Sequence, residues 1–289
     1  MRIIVTGAKG MLGATLLPVL QGRHEACGIG RQDCDICDEK AIAAVLRERK
    51  PELVVHLAAY TDVDGCETNP ETAERTNSLG TKNVALACAE LDAAMLYVST
   101  DYVFDGSKPA PYLEDDQPNP LSAYGRSKLH GEQHVRSILK RYFIVRTSWL
   151  YGPSGRNFVT TILKLARARK SLRAVDDQRG SPTYTRHLSQ TIAALAQTRA
   201  YGVYHATGSG RCSRFELAKA ILDLQRVEGV EVVPITSRES GRPARRPANS
   251  VLANRALPCA GVELLPHWKE GLAACLDEIR NSDAMNIRA

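Results

Sequence analysis

Tyr124-Gly125-Arg126-Ser127-Lys128 sets a phenol and an ammonium four residues apart, a spacing that on a helix stacks both side chains on one face. Such a pair can protonate a carbonyl oxygen while hydride reaches the carbon. The chemistry works best if a nearby cation draws the phenol down from its ordinary pKa of about 10. Pro120 just upstream and the helix formers Leu121, Leu129 and Gln133 predict that helix. Thr100, after the apolar run Met95-Leu96-Tyr97-Val98-Ser99, can donate a hydrogen bond to the same carbonyl and completes a Thr100, Tyr124, Lys128 constellation. By itself the five-residue pattern is also that of an ordinary helix surface. Its meaning depends on the elements that position it.

Those elements begin at residue 1. Arg2-Ile3-Ile4-Val5-Thr6 reads as a strand, Gly7-Ala8-Lys9-Gly10-Met11-Leu12-Gly13 as a turn, and Ala14 to Leu20 as a helix. Gly7 permits the tight turn, Gly10 lets the backbone approach a pyrophosphate, and Gly13 lets the helix pack closely while its amides face the phosphates. After a second strand, Ala26 to Gly30, the residue in place is Arg31, whose guanidinium suits a 2′-phosphate. Asp33, about twenty residues beyond the last glycine, suits a free ribose hydroxyl instead. The expected cofactor is NADPH, with NADH possible. Asp35-Ile36 reads equally as an adenine contact or as the loop leading a helix from Asp38. A third strand, Leu53 to Leu57, opens into Ala58-Ala59-Tyr60, small enough in part for a cofactor to lie on the backbone, with Thr61 beyond them on the substrate side. Asn77, on the next helix, is expected either to hold a water beside Lys128 or to pack that helix.

The chain has 289 residues, 44% of them hydrophobic, enough for one doubly wound domain and a smaller lobe. Regular βα alternation to about Leu150 predicts an α/β, Rossmann-like parallel sheet, with helices near 39–49, 71–91 and 121–140 and strands near 53–57, 93–99 and 142–147. Beyond it we expect helices near 157–169, 185–198 and 213–226 and strands at 203–206 and 231–235, with a frayed tail from Asn281. The dinucleotide-binding domain is expected to comprise 1–152 with 182–208, and the substrate domain 153–181 with 209–289. The net charge of +6 gathers partly at Arg238, Arg242, Arg245 and Arg246. That loop reads equally as a solvated surface or, at Arg246, as a partner for a substrate diphosphate; with no interleaved aromatics, nucleic-acid binding is not expected. Eight cysteines include one close pair, Cys34 and Cys37, with no second pair to complete a metal site. No export core or membrane-length apolar run is evident, so a cytoplasmic protein with reduced thiols, off the membrane, is expected.

Ser99-Thr100-Asp101-Tyr102-Val103-Phe104, the Tyr124 to Lys128 run, Arg146-Thr147-Ser148-Trp149-Leu150-Tyr151 and Asp177-Gln178-Arg179-Gly180-Ser181-Pro182-Thr183, in that order, resemble the signatures of the dTDP-4-dehydrorhamnose reductases, extended short-chain reductases. The likeness runs from Met1 to about Trp268 and takes in Gly202-Val203-Tyr204-His205 and Arg246-Pro247-Ala248-Asn249-Ser250. It implies NAD(P)H-dependent reduction of the C4 keto group of a dTDP-sugar, dTDP-4-dehydro-L-rhamnose, for surface polysaccharide. By the same resemblance Gly10, Met11, Leu12, Asp35, Ile36, Ala59, Tyr60, Tyr124 and Lys128 hold cofactor, and Thr100, Asp101, Tyr124 and Trp149 meet substrate. Some family members pair through magnesium bound by a glutamate on the first helix. Here that helix reads Ala14-Thr15-Leu16-Leu17, so no metal is carried over and either a monomer or a homodimer is expected. Two alternatives stand beside this reading: another sugar-nucleotide reductase or epimerase of the superfamily, and a non-catalytic NADP-binding regulatory subunit of methionine adenosyltransferase. A dehydratase would need a second acid beside Thr100, where only Asp101 stands.

Overall fold

Runs of branched apolar residues that expose neither face to water form the centre of the molecule. In the computed structural model, which describes residues 1–286, β1 (Arg2–Thr6), β2 (Glu25–Ile29), β3 (Leu53–His56), β4 (Ala94–Thr100), β5 (Tyr142–Thr147) and β9 (Gly202–His205) build one parallel sheet in the order β2-β1-β3-β4-β5-β9. Alternation along each strand divides the core. Ile3, Val5, Leu53, Val55, Leu96 and Val145 meet α1 (Met11–Gln21) and α8 (Thr185–Leu195) on one face. Ile4, Val54, Met95 and Ile144 meet α2 (Glu39–Arg49), α5 (Gly80–Glu90) and α6 (Ala123–Ile138) on the other. The order reverses between β1 and β3, so the crevice where such sheets bind ligands opens over the carboxyl ends of those two strands.

The expected helix over 71–91 is present and runs unbroken from Pro70 to Glu90 as α4 (Pro70–Ala73), a π-helical stretch over Glu74–Leu79, and α5. A separate short α3 (Val63–Thr68) precedes it and stops at Asn69, because a residue before proline resists the helical conformation. The widened turn carries Asn77 to the crevice.

Leu150–Tyr151 (β6) and Thr183–Tyr184 (β8) make a short parallel pair, and β7 (Ser171–Val175) pairs with β10 (Glu231–Ile235), Leu172 facing Val232. Of these only β10 follows from the sequence. α7 (Phe158–Ala168), α9 (Arg214–Leu224) and α12 (Trp268–Asn286) pack there around Trp149, Tyr151, Leu217 and Leu272. Short α10 (Ser237–Ser240) and α11 (Ala256–Cys259) complete the order, and Leu257, Val262 and Leu265 join the core of the large sheet. α12 was not anticipated, and it corrects the expectation of fraying from Asn281, because the helix continues through Asn286. The remainder of that expected tail, 287–289, lies outside the described residues. All eight cysteines are free thiols. Among the described residues no helix is long and apolar enough to cross a membrane.

Candidate active site

Gly7 sits at a φ of 65°, and a Cβ there would come within 2.7 Å of the Ala58 nitrogen. A Cβ on Gly13 would lie 2.5 Å from the Gly7 oxygen. The glycines therefore fold the turn flat against the β3 loop and against α1. Gly10 caps α1 without a side-chain bond, and no acid stands in the first turn, which leaves the amides and the positive end of the helix dipole open to an anion. Met11 lies at this turn, with a Gly152 Cβ position 3.4 Å from its Cγ, whereas Leu12 is buried in the core.

Arg31 is exposed beyond the end of β2. Asp33 accepts the Gly30 N–H at 2.7 Å, closing its own loop, so its carboxylate is already engaged. Lys9, a residue the sequence reading passed over although it lies inside the glycine turn, reaches across to Gln32 at 2.8 Å. Arg31 and Lys9 thus stand at the strand end among the carboxylates of Asp33 and Asp35, and it is this pair of cations that suits a 2′-phosphate. Arg31→Ala is expected to raise the NADPH dissociation constant about tenfold while changing that of NADH less than twofold, measured by cofactor fluorescence. Equal losses for both would show that Arg31 does not read the phosphate. Asp35 caps its turn by accepting from the Cys37 N–H, a bond that holds its carboxyl below the ordinary value. Ile36 is buried and would collide with any Cβ on Gly80, so it packs the core whatever else it touches.

The β3 loop is held from two sides. Thr6 Oγ1 accepts the Leu57 and Ala58 N–H groups and bonds His56 Nδ1 at 2.7 Å, while His56 Nε2 bonds Thr81 at 3.1 Å. Burial, aided by the Lys128 charge, pushes the imidazole down to about 3, so it stays a neutral link. Asn77 accepts from the Tyr60 N–H at 2.7 Å and donates to the Tyr60 carbonyl at 3.0 Å and to Ser127 at 3.0 Å. Its amide clamps Ala59-Tyr60 to α6, and both of its polar atoms are engaged there. Ala58, Ala59 and Tyr60 are partly covered at the crevice and Thr61 is exposed.

α6 starts where the Ser122 side chain accepts the Gly125 N–H. A Cβ on Gly125 would meet the Tyr102 carbonyl at 2.2 Å, and one on Gly131 the Tyr97 hydroxyl at 2.4 Å, so both glycines let the helix lie flush on the end of β4. Thr100 and Tyr124 come together there, close enough for the threonine hydroxyl to act on the phenol. Without substrate the Thr100 hydroxyl donates to Asp101 Oδ1 at 3.1 Å. Lys128 shares the helix, but its Nζ donates to the Val98 carbonyl at 2.8 Å and lies 4.1 Å from the centre of the Tyr97 ring. Burial lowers Lys128 to about 7, partly opposed by Glu132.

The expected lowering of Tyr124 by Lys128 is not what the structure has. Burial raises the phenol above its ordinary value, Asp101 adds to the rise, and the Thr100 hydroxyl opposes it. The spacing fixes the face both residues share, but the long lysine stem carries the charge to the β4 backbone instead of to the phenol. A protonated phenol at neutral pH is nonetheless the state a proton donor needs, and a developing alkoxide is a far stronger base than phenolate.

Asp101 is buried, one of its oxygens has no partner, and desolvation raises it to about 7 against hydrogen bonds from Ser250 and Thr100. Trp149 is only 9% exposed: the guanidinium of Arg214 lies 3.6 Å from its ring centre, and a Cβ on Gly180 would meet the indole at 2.4 Å. Arg246 pairs with Asp64 through two contacts of 3.0 Å, and Arg242 shares that carboxylate at 2.9 Å. Arg214 was not anticipated, because an arginine opening a helix carries no sequence signal of its own.

The family model for the RmlD substrate binding domain matches residues 1–281. The chain belongs to the RmlD family. Its RmlD relatives include the spore coat polysaccharide biosynthesis protein SpsK of Bacillus subtilis, 40% identical over 96% of this chain and 97% of that one. A dTDP-4-dehydrorhamnose reductase of Streptomyces griseus is 41% identical over 94% of this chain and 91% of its own. Among solved structures, a Bacillus anthracis dTDP-4-dehydrorhamnose reductase in complex with NADP superposes with a TM-score of 0.94 at 40% identity, covering 96% of this chain and 99% of that one. A Thermus thermophilus UDP-glucose 4-epimerase with NAD, 21% identical with a TM-score of 0.84, shares the fold.

Proposed function

We propose that this protein is an NADPH-dependent oxidoreductase that reduces the C4 keto group of dTDP-4-dehydro-L-rhamnose to dTDP-L-rhamnose, a sugar donor for surface polysaccharide. The observation that carries the reading is the approach of Thr100 to Tyr124 at the carboxyl end of β4, in a chain about 40% identical over nearly its whole length to proteins named for this reaction. The glycine turn and open α1 terminus fit a dinucleotide: Gly7, Gly10, Met11, Leu12 and Gly13 cradle the pyrophosphate, Lys9 and Arg31 take the 2′-phosphate, and Asp35 and Ile36 border the adenine. Ala58, Ala59 and Tyr60 support the nicotinamide half. When bound, NADPH supplies hydride to the carbonyl carbon.

Thr100 turns its hydroxyl from Asp101 to the substrate carbonyl, and Tyr124 delivers its proton to the same oxygen as negative charge develops there. Lys128, on the same helix face as Tyr124, fixes the cofactor ribose. Asp101 receives a sugar hydroxyl on its unpartnered oxygen, and Thr61 and Trp149 border the sugar. The large sheet, within the expected 1–152 and 182–208, serves as the dinucleotide-binding domain together with the stretch from Leu257 to Leu265 that packs on it, and 153–181 with most of the segment from 209 onward, joined by β6 and β8, serve as the substrate domain.

A coupled assay with dTDP-glucose and the upstream dehydratase and epimerase is expected to show NADPH oxidation and dTDP-rhamnose formation, in protein that exchanges its cofactor freely. Because Thr15 stands where a metal-bridged dimer needs a carboxylate, activity and gel-filtration volume are expected to survive EDTA treatment, as monomer or homodimer. Tightly retained NAD with C4 inversion would point to an epimerase instead.

A further inference from the structure

Arg214 is held in place from its backbone outward. Ser213 and Glu216 form a reciprocal cap at the start of α9; Ser213 also bonds Asp176 at 2.5 Å, and Arg179 bonds Glu216 at 2.5 Å. Cys212 and Gly180 exchange backbone bonds of 3.0 and 3.1 Å. The guanidinium then stacks on Trp149 at 3.6 Å, with Phe158 at 5.0 Å. Trp149 itself has a φ of 44°, the left-handed region that a bulky residue rarely adopts. Strained backbone, a glycine cut to fit the indole and a doubly braced helix start all converge on one cation.

That cation has no protein acceptor. None of the Arg214 N–H groups donates a hydrogen bond among the described residues, whereas Arg179, Arg242 and Arg246 are each paired with a carboxylate. Stacking occupies the π face of a guanidinium and leaves its in-plane fork of donors free. Tyr102, Asp101 and Arg246 act on Arg214 electrostatically. Asp101 also keeps one oxygen unpartnered, so two unsatisfied groups of opposite charge act on each other with no hydrogen bond between them. Arg214, Arg242 and Arg246 together outnumber Asp64 and Asp101, and the unpaired guanidinium and carboxyl oxygen therefore suit a ligand that brings anionic acceptors to the arginine and a hydroxyl donor to the aspartate.

We propose that Arg214 is a specificity-determining residue that binds the sugar-linked phosphate of the substrate's diphosphate, while Arg246, locked on Asp64, braces the loop that carries it. The proposal rests on the reading of the substrate as a nucleoside-diphosphate sugar. Stacked on Trp149, Arg214 ties the phosphate to the residue that borders the sugar and so sets the distance from phosphate to keto group.

The test uses dTDP and thymidine as probes, titrated calorimetrically into the NADPH-bound protein and its Arg214→Gln, Arg214→Met and Arg214→Lys variants. Arg214→Gln and Arg214→Met are expected to raise the dTDP dissociation constant about ten- to hundredfold and to flatten its salt dependence, with thymidine and NADPH affinities within twofold of the parent. Arg214→Lys is expected to recover part of the loss, since it restores charge without the planar fork. Unchanged dTDP affinity in Arg214→Gln would overturn the proposal. So would equal losses for dTDP and thymidine in Arg214→Met, which would mark a merely structural role through Trp149. The same selective loss seen with UDP in place of dTDP would support Arg214 and correct the base. A parent protein that binds neither nucleotide would remove the nucleotide-sugar reading, and the proposal with it.

Discussion

Tyr124→Phe is expected to lower turnover at least about a hundredfold while the NADPH dissociation constant stays within twofold of the parent value. The substitution removes one oxygen and leaves the ring that packs against Tyr102 with its centre 6.1 Å away. It takes from the site the group that Thr100 approaches, and with it the proton that must reach the carbonyl oxygen as hydride arrives. Burial keeps that phenol protonated through neutral pH, so any fall in activity between neutral pH and pH 9 is expected to follow Lys128, which burial lowers to about 7. Steady-state kinetics with cofactor titration in parallel decide the matter. Near-normal turnover in the variant would remove Tyr124 from the role of proton donor.

Glu132→Gln is expected to cost about 3–5 kcal/mol of stability, the range for breaking a buried ion pair from one side. Glu132 and Arg146 are each 1% exposed and meet through two bonds, 2.9 Å from Nε and 2.7 Å from Nη2. Ser99 also donates to Glu132 at 2.6 Å. Removing the carboxylate leaves a guanidinium buried between Phe104 and His205 with no anion to balance it. Replacing both partners by methionine should recover much of the loss, because an apolar pair does not strand a charge. Urea unfolding of the two variants checks this, and a loss under 1 kcal/mol in Glu132→Gln would contradict it. Glu132 also supports the proton affinity of Lys128 one turn earlier, so the variant's neutral-pH kinetics should shift as well.

The large sheet was legible because parallel strands buried on both faces are written as uninterrupted branched runs, such as Ile3-Ile4-Val5 and Leu53-Val54-Val55. The glycine turn was legible because its steric demands are local. The smaller lobe was not. β6 and β8 are two residues long, and β7 shows only Leu172 and Ala174 alternating with exposed neighbours. The helical stripe Trp268, Leu272, Cys275, Leu276 does announce α12, although Gly271 and the preceding proline obscure it. In the site, spacing placed Tyr124 and Lys128 on one helix face but could not tell where a four-carbon stem would end. Asn77 was noticed without its partner, since only the π-helical turn brings it to Tyr60. Arg246 was picked for its charge, and the sequence does not reveal that Asp64, far away in the chain, already holds it.

That carboxylate joins two parts of the protein that lie far apart in the chain. Asp64 lies just past the loop Ala58 to Tyr60 and accepts Arg242, the Ala244 N–H and Arg246 from a single distant loop. These partners outweigh the cost of its burial and hold it down to about 2, so the fastening persists at any pH a cell maintains. A displacement of one loop is transmitted to the other through a shared rivet. Whatever orders one loop therefore restrains the other, and a single aspartate is the pin between them.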